Sequence, residues 1–386
     1  MAGNLKDLNR DNDVASVSTL LREAIPITGS IVSGTYANPV GATVSTTSNI
    51  KQYAHGMFQS VFDYPYASSS ANHLFDLTAG YSTNSTLDGN ANEVSGAKKN
   101  NIYNEMAQFL VGYDQNGNIE RFDKDGDLTG GPKIDDALFI NFARLLSKDG
   151  IQKGTFELEL GVSGGYSGYP AEGAFNQRIK IKDLNGTSSF KVNSPKGEYG
   201  ILYANNSEGL PLDGDGFFNT TTSQDAPCGL LYYQAGVAVL SASMFMNLAQ
   251  GGVMSASQDN LIWHSGSSVG LFDIREALTT SSIDTISTGL RHRFYNLSFN
   301  NTTILNSTMY TCRVASRDFN YSSNPTYLNG SEIIVKGGDP KSEPKAFITT
   351  VGLYSAQDEL LAVAKLSKPI EKSPKEDLLI KVRLDY

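Results

Sequence analysis

The chain has 386 residues, 40% apolar and 18% charged, proportions of a folded protein that exclude a disordered one. With 31 basic against 40 acidic side chains, its net charge of −9 excludes a protein that wraps nucleic acid with its whole surface, since phosphate neutralisation needs a positive one. Cys228 and Cys312 are the only cysteines, which excludes a disulfide framework or a thiolate-built zinc site and leaves one bridge between them open.

A length beyond about 250–300 residues predicts two or three packed modules. Met1 to Leu8 lacks the basic start and apolar core of a signal peptide, so cytosolic synthesis is expected. Asp11 or Asn12 is placed to cap a short helix in which Val14, Val17, Leu20, Leu21 and Ala24 recur at near-helical spacing until Pro26, an amphipathic arm for packing on a neighbour. Strand-like runs follow at Ile27 to Val32 and Ala42 to Thr47, broken by Asn38-Pro39. Residues 66–96, rich in Ser, Asn, Ala and Gly, predict a long loop ordered by assembly.

From Ala97 to Val111, Ile102, Met106, Phe109 and Leu110 form one helical face with Lys98 and Lys99 on the other, and Tyr113 to Asn118 turns the chain. Ile134, Leu138, Phe142, Leu145 and Leu146 predict a second helix from Asp135 to Lys148, ending at Asp149-Gly150. The period then changes to two: Thr155 to Leu160 alternates cleanly, and Arg178 to Ile181, Ser189 to Val192 and Gly200 to Tyr203 read as further strands.

Gly229 to Ala249 is uncharged and long enough to span a bilayer. Its Gln234, Ser241, Ser243 and Asn247, and the absence of basic flanks, favour a buried strand followed by another core element, so no membrane span is expected. A Gly/Ser-rich stretch at 250–268, a short helix at Gly270 to Thr279 and strands at Arg291 to Phe299 and Met309 to Ser316 come next. Ala346 to Tyr354 and Leu360 to Leu366, flanking Ser355 to Glu359, predict a hairpin. In the last strand, Leu378 to Tyr386, Ile380, Val382, Leu384 and Tyr386 face inward and Lys381, Arg383 and Asp385 outward. Pro369 and Pro374 fence off its approach, because proline cannot donate to a central ladder.

No period of about 20–50 residues repeats, which excludes a solenoid or propeller. The expected class is α+β, mainly antiparallel β-sheet modules with a few amphipathic helices. The expected division is an N-terminal arm and loop region over 1–95, a helical pair plus short-strand β module over 96–225, and a C-terminal β domain over 226–386.

Candidate chemistry is sparse. Gly161-Val162-Ser163-Gly164-Gly165 fits G-x-S-x-G after a strand, but Tyr166-Ser167-Gly168-Tyr169-Pro170 follows where the motif needs a helix, so a glycine-rich loop is the reading. His55, His73, His264 and His292 fall in no paired motif; a metal site or triad assembled by folding stays open. Asp123-Lys124-Asp125-Gly126-Asp127 spaces three carboxylates as the first ligands of a calcium loop are spaced. Leu128 stands where glycine makes the bend, however, and Ile134 where a bidentate glutamate is needed.

Asp114 to Asn118 is a second partial copy, and Asp213-Gly214-Asp215-Gly216 a weaker one. Two polar turns joining a hairpin over Ile119 to Phe122 are the preferred reading, with Asp123, Asp125 and Asp127 kept as a weak calcium candidate and no cofactor expected. No phosphate-cradling motif appears. The 19 tyrosines and 18 phenylalanines lie mostly in strand-like, core-type runs, with Tyr64, Tyr66, Tyr166 and Tyr169 as loop contacts.

Asp318-Phe319-Asn320-Tyr321-Ser322-Ser323-Asn324-Pro325-Thr326-Tyr327, then Ile348 to Tyr354 and Leu360 to Leu366, resemble a C-terminal pattern in virion structural proteins of T4-like tailed bacteriophages, notably marine and cyanobacterial ones. Ile348-Thr349-Thr350-Val351-Gly352-Leu353-Tyr354 followed by Leu360-Leu361-Ala362-Val363-Ala364 is similar, more loosely, to a hairpin in baseplate-anchored domains of phage tail fibres. The likeness extends to Arg293 to Thr303 and Ser70 to Asp76.

The resemblance implies a setting and an architecture, and no reaction. The expectation is a non-enzymatic subunit of the virion, assembled in the host cytoplasm, most simply a tail or baseplate component, with a neck, collar or capsid-surface protein as the alternative. A receptor- or glycan-binding tail protein is the alternative of another class. Expected partners are other virion proteins and further copies in a homo-oligomer or ring, with Phe319, Tyr321, Tyr327, Tyr354 and Tyr386 as interface candidates and no nucleic acid.

Overall fold

The structure, a computed structural model, describes residues 6–33, 36, 46–161, 178–206, 226–245, 274–322, 324–333 and 343–386. A short helix α1 (Arg10–Asp13) leads into strand β1 (Val14–Thr28) and helix α2 (Gly29–Ser33), then β2 (Ile50–Gln52), β3 (Gln59–Phe62) and β4 (His73–Tyr81). Helix α3 (Gly96–Leu110), β5 (Asp136–Phe142), α4 (Arg144–Ser147), β6 (Gly150–Ile151), β7 (Glu157–Gly161), β8 (Arg178–Lys182), β9 (Lys191–Ser194), β10 (Gly197–Asn206), β11 (Ala226–Tyr232) and β12 (Val237–Ser241) follow. The remainder comprises α5 (Ile274–Thr280), α6 (Ile283–Arg293), β13 (Phe294–Val314), β14 (Leu328–Asn329), β15 (Glu332–Ile333), β16 (Ala346–Tyr354), β17 (Leu360–Lys372) and β18 (Leu378–Asp385). The class is mainly antiparallel β-sheet with few helices.

The chain forms two compact units, one of Met1–Leu21 with Ile304–Tyr386 and one of Arg22–Thr303. The division falls inside β1 and β13, not near 95 or 225 as expected. Sheet pairing explains the difference: β4 pairs with β5 and β12 with β5, so strands from both sides of each expected boundary share one ladder.

In the larger unit, sheet order runs β13-β7-β8-β10-β11-β12-β5-β4-β3-β2. Its central strands are apolar at consecutive positions because both faces are covered. Ala137, Phe139, Leu230, Tyr232, Val237 and Val239 pack with Ile102, Tyr103, Ala107 and Leu110 of α3. Leu138, Ile140, Phe142, Leu231, Ala238 and Leu240 belong to the other cluster, with Ile274, Ala277 and Leu278 of α5 and Ile286 and Leu290 of α6.

Several expected elements change type. The helix expected over Asp135 to Lys148 is strand β5 followed by the short α4, since a run apolar at nearly every position satisfies a helical template and a doubly buried strand alike. The loop expected over 66–96 contains β4, whose Leu74, Phe75 and Leu77 are buried. The helix expected to end at Pro26 is strand β1, with Val17, Leu20 and Leu21 exposed. Branched Val14, Val17 and Thr19 favour extended backbone, and Pro26 is accepted because β1 ends the sheet order. Arg291–Arg293 close α6, and β13 runs unbroken where two strands were expected. In α3, Lys99 is buried and Phe109 half exposed, opposite to the expected faces.

The uncharged segment from Gly229 is β11, β12 and a tight turn at Ala242–Phe245; no helix among the described residues is long and apolar enough to cross a membrane. Ala42 to Ser45 and the 250–268 stretch lie outside the described residues.

Gly80 is where β4 approaches α3 most closely. A Cβ there would stand 2.5 Å from Lys99 O and 3.0 Å from Tyr103 N, both backbone atoms that move only with the helix. Gly80→Ala is therefore expected to lower stability by about 2 kcal/mol, read as a lower denaturant midpoint; an unchanged midpoint would show that α3 shifts freely.

In the smaller unit, β18 pairs with β13 from Ser307↔Asp385 to Val314↔Leu378. Ile380 and Val382 are buried and Lys381 and Arg383 exposed, the alternation the sequence predicts; Tyr386 is exposed instead of inward. β16 and β17 form a separate two-stranded sheet, as the hairpin pattern requires. The register passes from Ile348↔Ile370 to Thr350↔Lys365, so Leu366 to Pro369 bulge opposite Thr349. Pro369 thus lies in a bulge inside β17, where no ladder donor is missed. Lys372, almost wholly buried, donates to Ser316 O, Asn320 Oδ1 and Ser373 O at 2.7–3.0 Å.

Candidate functional site

The acidic loop lies between α3 and β5, in a stretch with only isolated bridges, Tyr113↔Ile119 and Asp123↔Lys133, instead of the expected hairpin ladder. Asp123, Asp125 and Asp127 each bring one carboxylate oxygen to within 4.8 Å of the others. Asp123 is 1% exposed. Its Oδ2 accepts the Leu128 N–H at 2.7 Å and lies 3.2 Å from Lys133 Nζ, while Oδ1 has no hydrogen-bond partner.

Burial raises the Asp123 carboxyl above its ordinary range, against the pull of the Leu128 N–H and Lys133. The Thr129 N–H, first of several causes, lowers Asp127. Leu128 adopts φ +62°, the left-handed conformation that glycine would have supplied. Gly126 O accepts from Tyr199 Oη at 3.2 Å and Asn193 Nδ2 at 3.1 Å, which ties the loop to β9 and β10. The copy at Asp114 differs: Oδ1 accepts the Asn116 and Asn118 N–H groups and Oδ2 the Asn118 side chain, so its carboxylate is fully engaged.

Folding also assembles a serine, an aspartate and a histidine that sequence separation hides. Ser60 Oγ and His73 Nε2 both contact Asp76 Oδ1, at 2.5 and 2.8 Å. The carboxylate stands between hydroxyl and imidazole, whereas serine activation needs the imidazole in the middle; the trio is a cross-strand polar tie. His55 stacks on Tyr53 at 5.1 Å between ring centres. Cys228 and Cys312 are free thiols, so no bridge joins them. Ser163, Tyr166, Tyr169, His264 and the Asp213 to Gly216 turn lie outside the described residues.

The second feature is an apolar surface in the smaller unit. Phe347, Tyr354, Leu360, Leu361 and Val363 of the two-stranded sheet are exposed, and among the described residues β16 and β17 pair only with each other. A Cβ on Gly352 would meet the Tyr354 ring at 2.9 Å and Leu360 Cδ1 at 3.2 Å, so the missing side chain lets both lie across the strand. Of the interface candidates, Phe319, Tyr321, Tyr354 and Tyr386 are exposed, whereas Tyr327 is buried in the turn Pro325–Tyr327 and presents little surface. Leu361 and Val363 were missed as candidates because their alternation with Ala362 and Ala364 reads as an ordinary core strand. Of the loop tyrosines, Tyr64 is exposed and set edge-on to Tyr36.

No protein-family model, curated protein or solved structure matches the chain.

Proposed function

We propose that this chain is a structural subunit of a tailed-bacteriophage virion, a tail or baseplate component, that works by holding other virion proteins and further copies of itself, not by turnover. On this reading the fold is α+β, with helices covering an antiparallel sheet and a smaller unit given to contacts. A neck, collar or capsid-surface position is the alternative within the class.

The observation that carries the reading is the exposed apolar sheet of β16 and β17. A lone two-stranded hairpin is marginal in water, its outer edges offer unpaired backbone groups, and contiguous exposed apolar side chains mark interaction surfaces. Here Leu361 is 68% exposed and Val363 52%, on a hairpin that also carries the family resemblance.

In light scattering coupled to size exclusion, the purified chain at tens of micromolar is expected to run as an oligomer. Val363→Lys is expected to weaken that association about tenfold or more, since a lysine in an apolar contact core is left without a partner. A wild-type chain that stays monomeric and binds or cleaves host polysaccharide would overturn the proposal.

A further inference from the structure

We propose that the loop from Asp123 to Thr129 binds a calcium ion. The inference stands apart from the virion reading, because it rests on the larger unit alone. Two oxygens bound to one calcium at about 2.4 Å lie at most about 4.8 Å apart, and Asp123, Asp125 and Asp127 each offer an oxygen inside that limit.

The observation that singles this cluster out is Asp123. Its carboxylate is buried, one oxygen is held by the Leu128 N–H and Lys133, and the other, Oδ1, has no hydrogen-bond donor. Buried carboxylate oxygens are ordinarily satisfied, and leaving one bare is costly. A hard cation held jointly with Asp125 and Asp127 satisfies it. The objection raised by Leu128 is met, since its backbone already makes the left-handed bend.

Two features set the affinity. Ile134 stands where a bidentate glutamate would complete the shell, so water and loop carbonyls must fill several positions, and Lys133 places a like charge beside the ion. Together they point to a dissociation constant on the order of 10⁻⁴ to 10⁻³ M. An irregular, partly hydrated oxygen site favours calcium over magnesium, which demands near-octahedral geometry. Bound there, the ion would cross-link a stretch that has only isolated bridges and fix it to β9 and β10 through Gly126.

The test uses the full chain, stripped with chelator and titrated with terbium, whose luminescence is excited through tyrosine; Tyr199, hydrogen-bonded to Gly126 O, is a donor in contact with the loop. A saturable signal displaced by calcium is expected, dimmed by Tyr199→Phe. Asp125→Ala removes an exposed carboxylate, leaves the circular dichroism spectrum unchanged and weakens calcium binding about tenfold or more. Lys133→Met removes the competing charge and tightens calcium binding severalfold by calorimetry. No saturable binding below about 10 mM, or an Asp125→Ala protein of unchanged affinity, overturns the proposal.

Discussion

Replacing Lys99 by methionine is expected to lower stability by about 3 kcal/mol or more. Lys99 is buried, and its Nζ donates to the carbonyls of Val94 at 2.6 Å, Leu278 at 2.5 Å, Thr279 at 3.4 Å and Ser281 at 2.8 Å. Leu278 and Thr279 lie in the last turn of α5 and Ser281 just beyond it, where carbonyls lack an intrahelical donor and a cation is favoured by the helix dipole; Thr279 O also accepts the Val94 N–H at 2.8 Å. Burial pushes the ammonium down to about 8, so the charged donor is still present at neutral pH. Methionine keeps the length and removes only the donor, so the Val94, Leu278 and Ser281 carbonyls lose the ammonium while Thr279 O keeps the Val94 N–H. Urea denaturation measures the loss; a midpoint equal to that of the unchanged chain would mean that water replaces the ammonium without cost.

Acid is expected to destabilise the protein through His292. This imidazole is 5% exposed, and burial, then Arg291 and Arg293, push it down to about 2 from an ordinary 6.5. Arg291 Nη2 donates to His292 Nε2 at 3.1 Å, a bond that requires that nitrogen unprotonated. Below about pH 6.5 the unfolded chain therefore takes up a proton that the folded chain refuses, and stability falls as pH falls, by up to about 1.4 kcal/mol per pH unit.

Near pH 4.5 the loss from this group is about 2 to 3 kcal/mol. Asp136, Asp183 and Asp284, whose carboxyls burial raises, act in the opposite sense in their own acid range. The measurement is therefore the difference in slope of stability against pH between the wild type and His292→Gln. Parallel slopes would mean that the folded protein protonates His292 after all.

Elements with one wet face were legible from the sequence. β8 and β18 alternate, and the β16–β17 hairpin is bounded by polar turn residues, so side-chain periodicity alone located them; β7 was located by the same alternation although its Glu159 is buried. Helix α3 was found because its apolar residues recur at helical spacing, though the inward turn of Lys99 was not, since a lysine buried against another helix's carbonyls looks the same in sequence as one in solvent. β4 was hidden in a stretch of small polar residues, and β5 took the wrong type because both its faces are covered.

The acidic residues of the Asp123–Thr129 loop were visible, but their convergence was not. Leu128 looked disqualifying, and only its backbone torsion, with the N–H turned onto Asp123 Oδ2, shows that the bend is made. Sequence by itself thus determined the local periods, the turn chemistry and the charge. Tertiary structure alone decided which strands share a ladder, where the two units divide and which polar groups lose water, because those depend on neighbours brought together from distant parts of the chain.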